Sequence, residues 1–207
     1  MTNDARFWDK IARKYAAKPV DDEAAYERTL DRTRAHLSPE MSVLELGCGT
    51  GTTALKLADA VGRITATDIS PGMIEIAREK PVPEGATVDF QVASAETAPP
   101  HEDGYDAVLA FNLLHLLDDV PGTVGKIHAM LRPGGVFISK SGALAEASWF
   151  LRRLLIPAMQ LIGKAPSVTT LGIQDFDRIV AAAGFDILET ETFPGLAPTR
   201  LIIARKR

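Results

Sequence analysis

Apolar positions in this chain gather into short continuous runs, separated by longer stretches in which they recur every three or four residues. The runs Ser42–Leu46, Arg63–Thr67, Thr87–Val92, Tyr105–Ala110 and Val136–Lys140 read as strands. The stretches between them, Thr52–Ala60, Gly72–Lys80 and Val120–Leu131, read as helices. Strands alternating with helices predict a mostly parallel sheet covered on both faces. Ahead of this alternation the spacing predicts two helices, Asp4 to Tyr15 and Asp22 to Leu37. The second carries Ala25, Leu30 and Leu37 at helical intervals and is stopped by Ser38-Pro39. Behind it, a helix near Ile173–Ala183 ends at Gly184, a residue suited to a C-cap. Strands at Phe185–Thr192 and Thr199–Ala204, joined through Pro194-Gly195, complete the chain. No repeats or low-complexity segments interrupt it.

One stretch, Ala143–Gly172, is longer than a simple crossover. It holds Trp149, Phe150, Leu154, Leu155, Ile156, Met159, Leu161 and Ile162, with Arg152, Arg153 and Lys164 among them. Pro157 is expected to break it into two helical pieces. Three readings stand for it: helices packed on the sheet edge, a mobile apolar cover over a site, or a surface. As a surface it would meet either a membrane, through 143–164, or a second copy in a homodimer, since basic residues beside an apolar stripe suit anionic lipid.

Composition narrows the class. At 207 residues, 46% hydrophobic and 24% charged, the chain is expected to make one domain. No apolar run approaches the roughly 20 residues that span a bilayer. The first thirty residues are polar with no signal-peptide core, so a cytoplasmic location is expected. A net charge of −4 argues against a broad basic surface for nucleic acid. The single cysteine, Cys48, allows no internal disulfide, and it sits in a glycine turn where a small residue fits.

That turn is where the chemistry concentrates. Val43-Leu44-Glu45-Leu46-Gly47-Cys48-Gly49-Thr50-Gly51 reads as a buried strand entering a glycine turn, and Thr67-Asp68-Ile69-Ser70 as a second strand ending in a carboxylate. Asp68 lies 21 residues beyond Gly47, close to the roughly 20 expected of an acid that binds a ribose. The glycines bring backbone N–H groups near a ligand. A nicotinamide or flavin dinucleotide site would need G-x-G-x-x-G/A. Here the sixth position is Thr52, so that class is disfavoured.

With Phe7-Trp8-Asp9-Lys10-Ile11-Ala12 and Tyr15, Pro71-Gly72-Met73, Tyr105-Asp106-Ala107-Val108 and Leu131-Arg132-Pro133-Gly134-Gly135, these blocks resemble the class I S-adenosylmethionine-dependent methyltransferases. Within them they look like the small-molecule branch that includes quinone-biosynthesis enzymes (the methyltransferase type 11 group). The resemblance implies one Rossmann-like α/β domain over 1–207, with N-terminal helices 1–40 and a helical insertion or lid at about 143–172. Its seven-stranded, mostly parallel sheet would run in the order 3-2-1-4-5-7-6, with the last strand antiparallel. It implies S-adenosyl-L-methionine as cofactor and S-adenosyl-L-homocysteine (SAH) as product.

The cofactor residues carried over by that resemblance are Gly47, Cys48, Gly49, Thr50 and Gly51 of the turn, Glu45 for the methionine amino group and Asp68 for the ribose. The start of the helix near Thr52 would favour the methionine carboxylate. Ile69 and Met73 would border the adenine, with Ser94, Ala95 and Glu96, and with Asn112 and Leu113 at the rim. Tyr15 would cover the methionine end. Ser94 departs from the pattern, since the family often has an aspartate there for the adenine amino group.

His115, in Phe111-Asn112-Leu113-Leu114-His115-Leu116-Leu117, is the one titratable candidate for a general base or for positioning the acceptor; a structural histidine is the competing reading. The same segment lacks the N/D-P-P-Y/F grip of adenine and amide methyltransferases. Asp118-Asp119 reads as a helix cap rather than a magnesium site, and no His/Cys cluster offers a metal site. The expected function is methyl transfer to a small, partly apolar molecule. The alternative is a cofactor-binding partner or regulatory subunit without catalysis.

Overall fold

The computed structural model describes residues 3–163 and 165–207; Lys164, noted above among the basic residues of the insertion, lies outside the described residues. Strand β1 (Ser42–Leu46) is buried over Val43–Leu46, as a run with no polar alternation requires. Strand β2 (Arg63–Asp68) and β3 (Val88–Val92) flank it on one side. Strands β4 (Tyr105–Phe111) and β5 (Leu131–Gly142) flank it on the other. Then β6 (Phe185–Phe193) and β7 (Thr199–Lys206) close the sheet in the order β3-β2-β1-β4-β5-β7-β6. The first five strands are parallel. Strand β7 runs antiparallel to both of its neighbours, β5 and β6. The implied seven-stranded order is therefore found. Strand order reverses between β1 and β4, where open α/β sheets leave a crevice at their carboxyl ends.

Helices α1 (Asn3–Ala16) and α2 (Glu23–Arg34) precede the sheet, and α3 (Thr52–Leu57), α4 (Pro71–Glu79) and α5 (Val120–Met130) connect its strands. One sheet face packs Leu30 of α2 and Leu57 of α3 against Ile64, Ile138 and Ile203. The other packs Leu44, Leu46 and Phe137 beneath Val124 and Ile127 of α5 and beneath Phe176.

Element ends shift in explicable ways. The helix expected over Thr52–Ala60 tightens after Leu57 into a 3-10 turn, Ala58–Ala60. Strand β5 starts five residues earlier than expected, because Leu131 already pairs with Tyr105 and a bulge over 132–135 absorbs Pro133, Gly134 and Gly135 before Val136 meets Ala107. In the insertion, Pro157 does not break the helix. Residues 149–161 stay helical, and Leu151–Leu155 widen into a π turn in which the Ile156 N–H reaches back five residues to the Leu151 carbonyl. The changed register accommodates a proline that has no N–H to donate. Helices α6 (Ile156–Leu161) and α7 (Ile173–Ala182) complete the set. Among the described residues, no helix is long and apolar enough to cross a membrane.

Helix α1 lies across the start of α4. Ala12 packs on Met73 and Ile76, with Trp8 alongside. Asp9 fastens the pair: its Oδ1 accepts from the Gly72 N–H at 2.7 Å and from the Ser70 hydroxyl at 3.1 Å. Ser70 in turn caps α4 by accepting from the Met73 N–H at 3.1 Å.

Candidate functional site

A cavity of about 530 Å³ opens at the carboxyl ends of β1, β2 and β4, under α1. Its floor is the turn after β1. Gly47 and Gly49 hold φ of +65° and +54°, a region that other residues rarely adopt. A side chain at Gly47 would meet Leu113 at 2.9 Å, whereas the space above Gly49 is bounded only by the Tyr15 ring at 3.7 Å. Backbone can therefore approach a ligand closely at Gly49.

Two carboxylates flank this turn. Asp68 Oδ2 accepts from the Gly49 N–H at 2.9 Å, and Oδ1 accepts from the Ser70 N–H at 2.9 Å. The end of β2 thus clamps both the glycine turn and the start of α4. Burial raises the Asp68 pKa, and those backbone N–H groups pull the other way.

Glu45 lies deeper, only 2% exposed. Its Oε2 has no hydrogen-bond partner although the side chain lines the cavity. Burial first, and the Asp68 charge second, push its pKa up to about 8, opposed by the Ala54 N–H at the start of α3. Gly51, the N-cap residue of α3, has no side chain to cap that helix, so Glu45 supplies an acceptor from the neighbouring strand. A buried carboxylate oxygen without a partner is costly unless a ligand provides a donor. An ammonium group is the chemistry that fits.

The structure gathers most of the expected residues around this one cavity: Tyr15, Glu45, Gly47, Cys48, Gly49 and Asp68, then Ile69, Met73, Ser94, Ala95 and Glu96, and finally Asn112 and Leu113. Three do not line it. Thr50 turns away, and Lys80 Nζ donates to its carbonyl at 2.7 Å and to its hydroxyl at 3.2 Å. Gly51 packs backwards: a Cβ there would stand 2.6 Å from the Phe90 ring and 2.9 Å from Ala77. Its role is close helix–sheet contact, not ligand contact. His115 sits in a 3-10 turn, Leu114–Leu116, beside the cavity wall. Its Nδ1 accepts from the Gly142 N–H at 3.4 Å, and burial lowers its pKa to about 4. The ring is therefore neutral at pH 7.

Other placements refine the chemistry. Burial raises the Cys48 thiol pKa, so no thiolate is available. The Ser94 hydroxyl is engaged locally, accepting from the Glu96 N–H at 3.2 Å and touching Thr97 Oγ1 at 3.2 Å. Asp119 caps α5 through the Gly122 N–H at 2.8 Å, as its sequence position suggests. Asn112 is the one non-glycine residue with positive φ among the described residues, +53°, at the end of β4 where strain often marks a site.

Phe111, Leu116 and Leu117, from the segment expected at the rim, also line the cavity; sequence reasoning missed Asp4, Trp8 and Thr53. Trp8 was within reach, because Asp4, Trp8 and Tyr15 share a helical face; their spacing of four and seven residues is the signal.

Comparison with known proteins agrees with this geometry. The methyltransferase domain family matches residues 43–135. The ubiquinone biosynthesis O-methyltransferase of Methylocella silvestris is 30% identical over 141 residues, covering 68% of this chain and 53% of that protein. The hybrid PKS-NRPS synthetase lepA of Aspergillus flavus is 34% identical over 111 residues, covering 50% of this chain and 3% of that protein. The chain thus spans about half of the first relative's length and a small part of the second. Among solved structures, magnesium protoporphyrin IX methyltransferase from Synechocystis PCC 6803 with bound SAH superposes with a TM-score of 0.72 at 19% identity, over 99% of this chain and 96% of that one. With the sheet order and the glycine turn in agreement, residues 43–135 form an S-adenosylmethionine-dependent methyltransferase domain.

Proposed function

We propose that this protein transfers the methyl group of S-adenosylmethionine to a small, partly apolar acceptor. The observation that carries the reading is Glu45, a buried carboxylate with one unpaired oxygen at the cavity, next to Asp68 and the Gly49 backbone. Glu45 would hold the cofactor's ammonium group and Asp68 its ribose hydroxyls, each by charge-assisted hydrogen bonds. Ile69, Met73 and Leu113 supply apolar surface for the adenine. Ser94, its hydroxyl tied into a local turn, leaves the adenine amino group to the backbone near Ala95.

When bound, the cofactor supplies a methyl group already activated on a sulfonium. The protein's task is then to align the acceptor with it and to exclude water. Trp8 and Tyr15 on α1 cover the cavity from above, held edge to face with ring centroids 6.0 Å apart. Phe111, Leu116 and Leu117 make part of the wall apolar, which favours an acceptor with apolar surface.

Among the described residues the lining also carries Asp4, Asp68, Glu96, Asp118 and Asp119, and Glu45 once ionised, with no lysine, arginine or histidine. That negative surround favours a cofactor of net charge +1 over its neutral product, and so favours exchange after transfer. With a pKa near 4, His115 is a weak base at pH 7. We assign it a positioning role, holding Gly142 against the 114–116 turn, which includes Leu116 and leads into Leu117.

The test uses cofactor with a radiolabelled methyl group, incubated with the protein and an extract of its host cells. Label should move into organic-soluble or amphiphilic small molecules. Label in protein or nucleic acid, or no transfer by a chain that binds the cofactor, would overturn the reading.

A further inference from the structure

The helix over 149–161 turns apolar side chains outward. Phe150, Leu154 and Leu161 are 59%, 48% and 89% exposed, with exposed Pro157 between them, at spacings of four, three and four residues. Trp149 and Ile162 extend the stripe at its ends, 63% and 62% exposed. None of the described residues of 143–172 lines the cavity described above. A contiguous exposed apolar face of this kind marks a contact with something outside the chain.

Charge decides what that is. From Ala147 to Gln174 the chain has no acidic residue but carries Arg152, Arg153 and Lys164, in a protein of net charge −4. Arg153 is exposed beside the stripe, whereas Arg152 turns inward to donate to the Ala145 carbonyl at 2.9 Å. A second copy would bring like charges together at the same face. An anionic lipid surface complements both the apolar stripe and the exposed Arg153, which is the pattern of helices that lie in a membrane interface.

We infer that the outward face of 149–162 docks this protein on an anionic lipid bilayer, with Phe150, Leu154 and Leu161 in the headgroup–acyl boundary and Arg153 at lipid phosphates. The segment is joined to the cavity rim. Thr169 donates its N–H to the His115 carbonyl at 2.8 Å and its hydroxyl to the Leu117 carbonyl at 2.6 Å, and Leu117 lines the cavity. A docked protein would therefore hold its cavity close to the bilayer.

The experiment is flotation of the full chain with vesicles of phosphatidylcholine alone and of an equimolar mixture with phosphatidylglycerol. Wild type should partition at least tenfold more strongly onto the anionic vesicles, with a blue shift of Trp149 emission in a Trp8→Phe background. Leu154→Glu with Leu161→Glu should stay unbound while keeping the wild-type thermal melt, and Arg153→Glu should lose the anionic preference. Wild type left unbound by both vesicles, or the double variant floating like wild type, would overturn the inference. So would a lipid-free dimer abolished by the same substitutions, or a Trp149 shift produced by SAH alone, which would assign the stripe to a second copy or to closure over the cavity.

Discussion

Replacing Glu45 with glutamine isolates the electrostatics of the cavity. In the free protein, burial and the Asp68 charge hold this carboxyl group at a pKa of about 8, against an ordinary 4.5. Because its folded pKa lies above its unfolded pKa, the unfolded chain ionises first as pH rises. Stability contributed by the neutral form is complete below pH 4.5 and is lost progressively up to pH 8. At roughly 1.4 kcal/mol per pH unit, the accumulated loss is on the order of 5 kcal/mol. Glutamine keeps the shape and the acceptor that faces the Ala54 N–H, but it has no proton to lose. Urea unfolding of both proteins without cofactor, from pH 5 to 8.5, should therefore show the variant pulling ahead of wild type as pH rises. His115 is present in both, so the difference reports Glu45 together with its coupling to Asp68. Cofactor binding completes the test, because an ammonium ligand demands the ionised carboxylate. Calorimetry at pH 7 in buffers of different ionisation heat should detect proton release by wild type and none by Glu45→Gln, with affinity reduced at least tenfold in the variant. A stability difference that stays level with pH would refute the reasoning, since it would mean that Glu45 is already ionised in the empty cavity.

Three further outcomes are expected. Asp68→Ala should weaken SAH binding at least tenfold by calorimetry, from two ribose hydrogen bonds at roughly 1 kcal/mol each; unchanged affinity would dismiss the ribose assignment. Gly51→Ala should cost about 3 kcal/mol or more, because a positive φ and the Phe90 ring both oppose a Cβ, whereas Gly85→Ala, at φ +78° with open space around it, should cost about 1 kcal/mol. Equal melting temperatures for the two would remove the packing argument. His115 should titrate near pH 4 by ring-carbon NMR; its folded pKa is depressed, so stability is lost as pH falls from 6.5 through 4, by roughly 3 kcal/mol. A midpoint above 6 would show the ring to be solvated.

Much of this architecture was legible in the chain because burial on both faces leaves a simple mark. Val43 to Leu46 could only be a central strand, and Gly47 and Asp68 could only stand at the ends of adjacent strands. Element ends were less legible. Nothing in the apolar pattern of Leu131–Gly135 reveals that Leu131 already pairs with Tyr105 across a bulge, and no rule of composition says that a π turn will absorb Pro157. Within the site, the motif marked the turn but not the direction each residue faces. Thr50 and Gly51 share the motif yet point to Lys80 and Phe90, because a tight turn presents successive residues to opposite sides. Trp8 and Thr53 escaped because they reach the cavity from separate elements, and periodicity reports that a face is buried without naming its neighbour.

The clamp formed by Asp68 ties the history of this site to the history of its fold. A carboxylate that already holds the Gly49 and Ser70 N–H groups cannot drift without loosening the turn itself, whatever happens to the ligand. Variation is cheaper at positions whose side chains serve only their own loop, and Ser94 is one of these. Lineages built on this scaffold are thus free to retune the rim while the Asp68 clamp stays put, so change at the rim need not begin with loss of the turn.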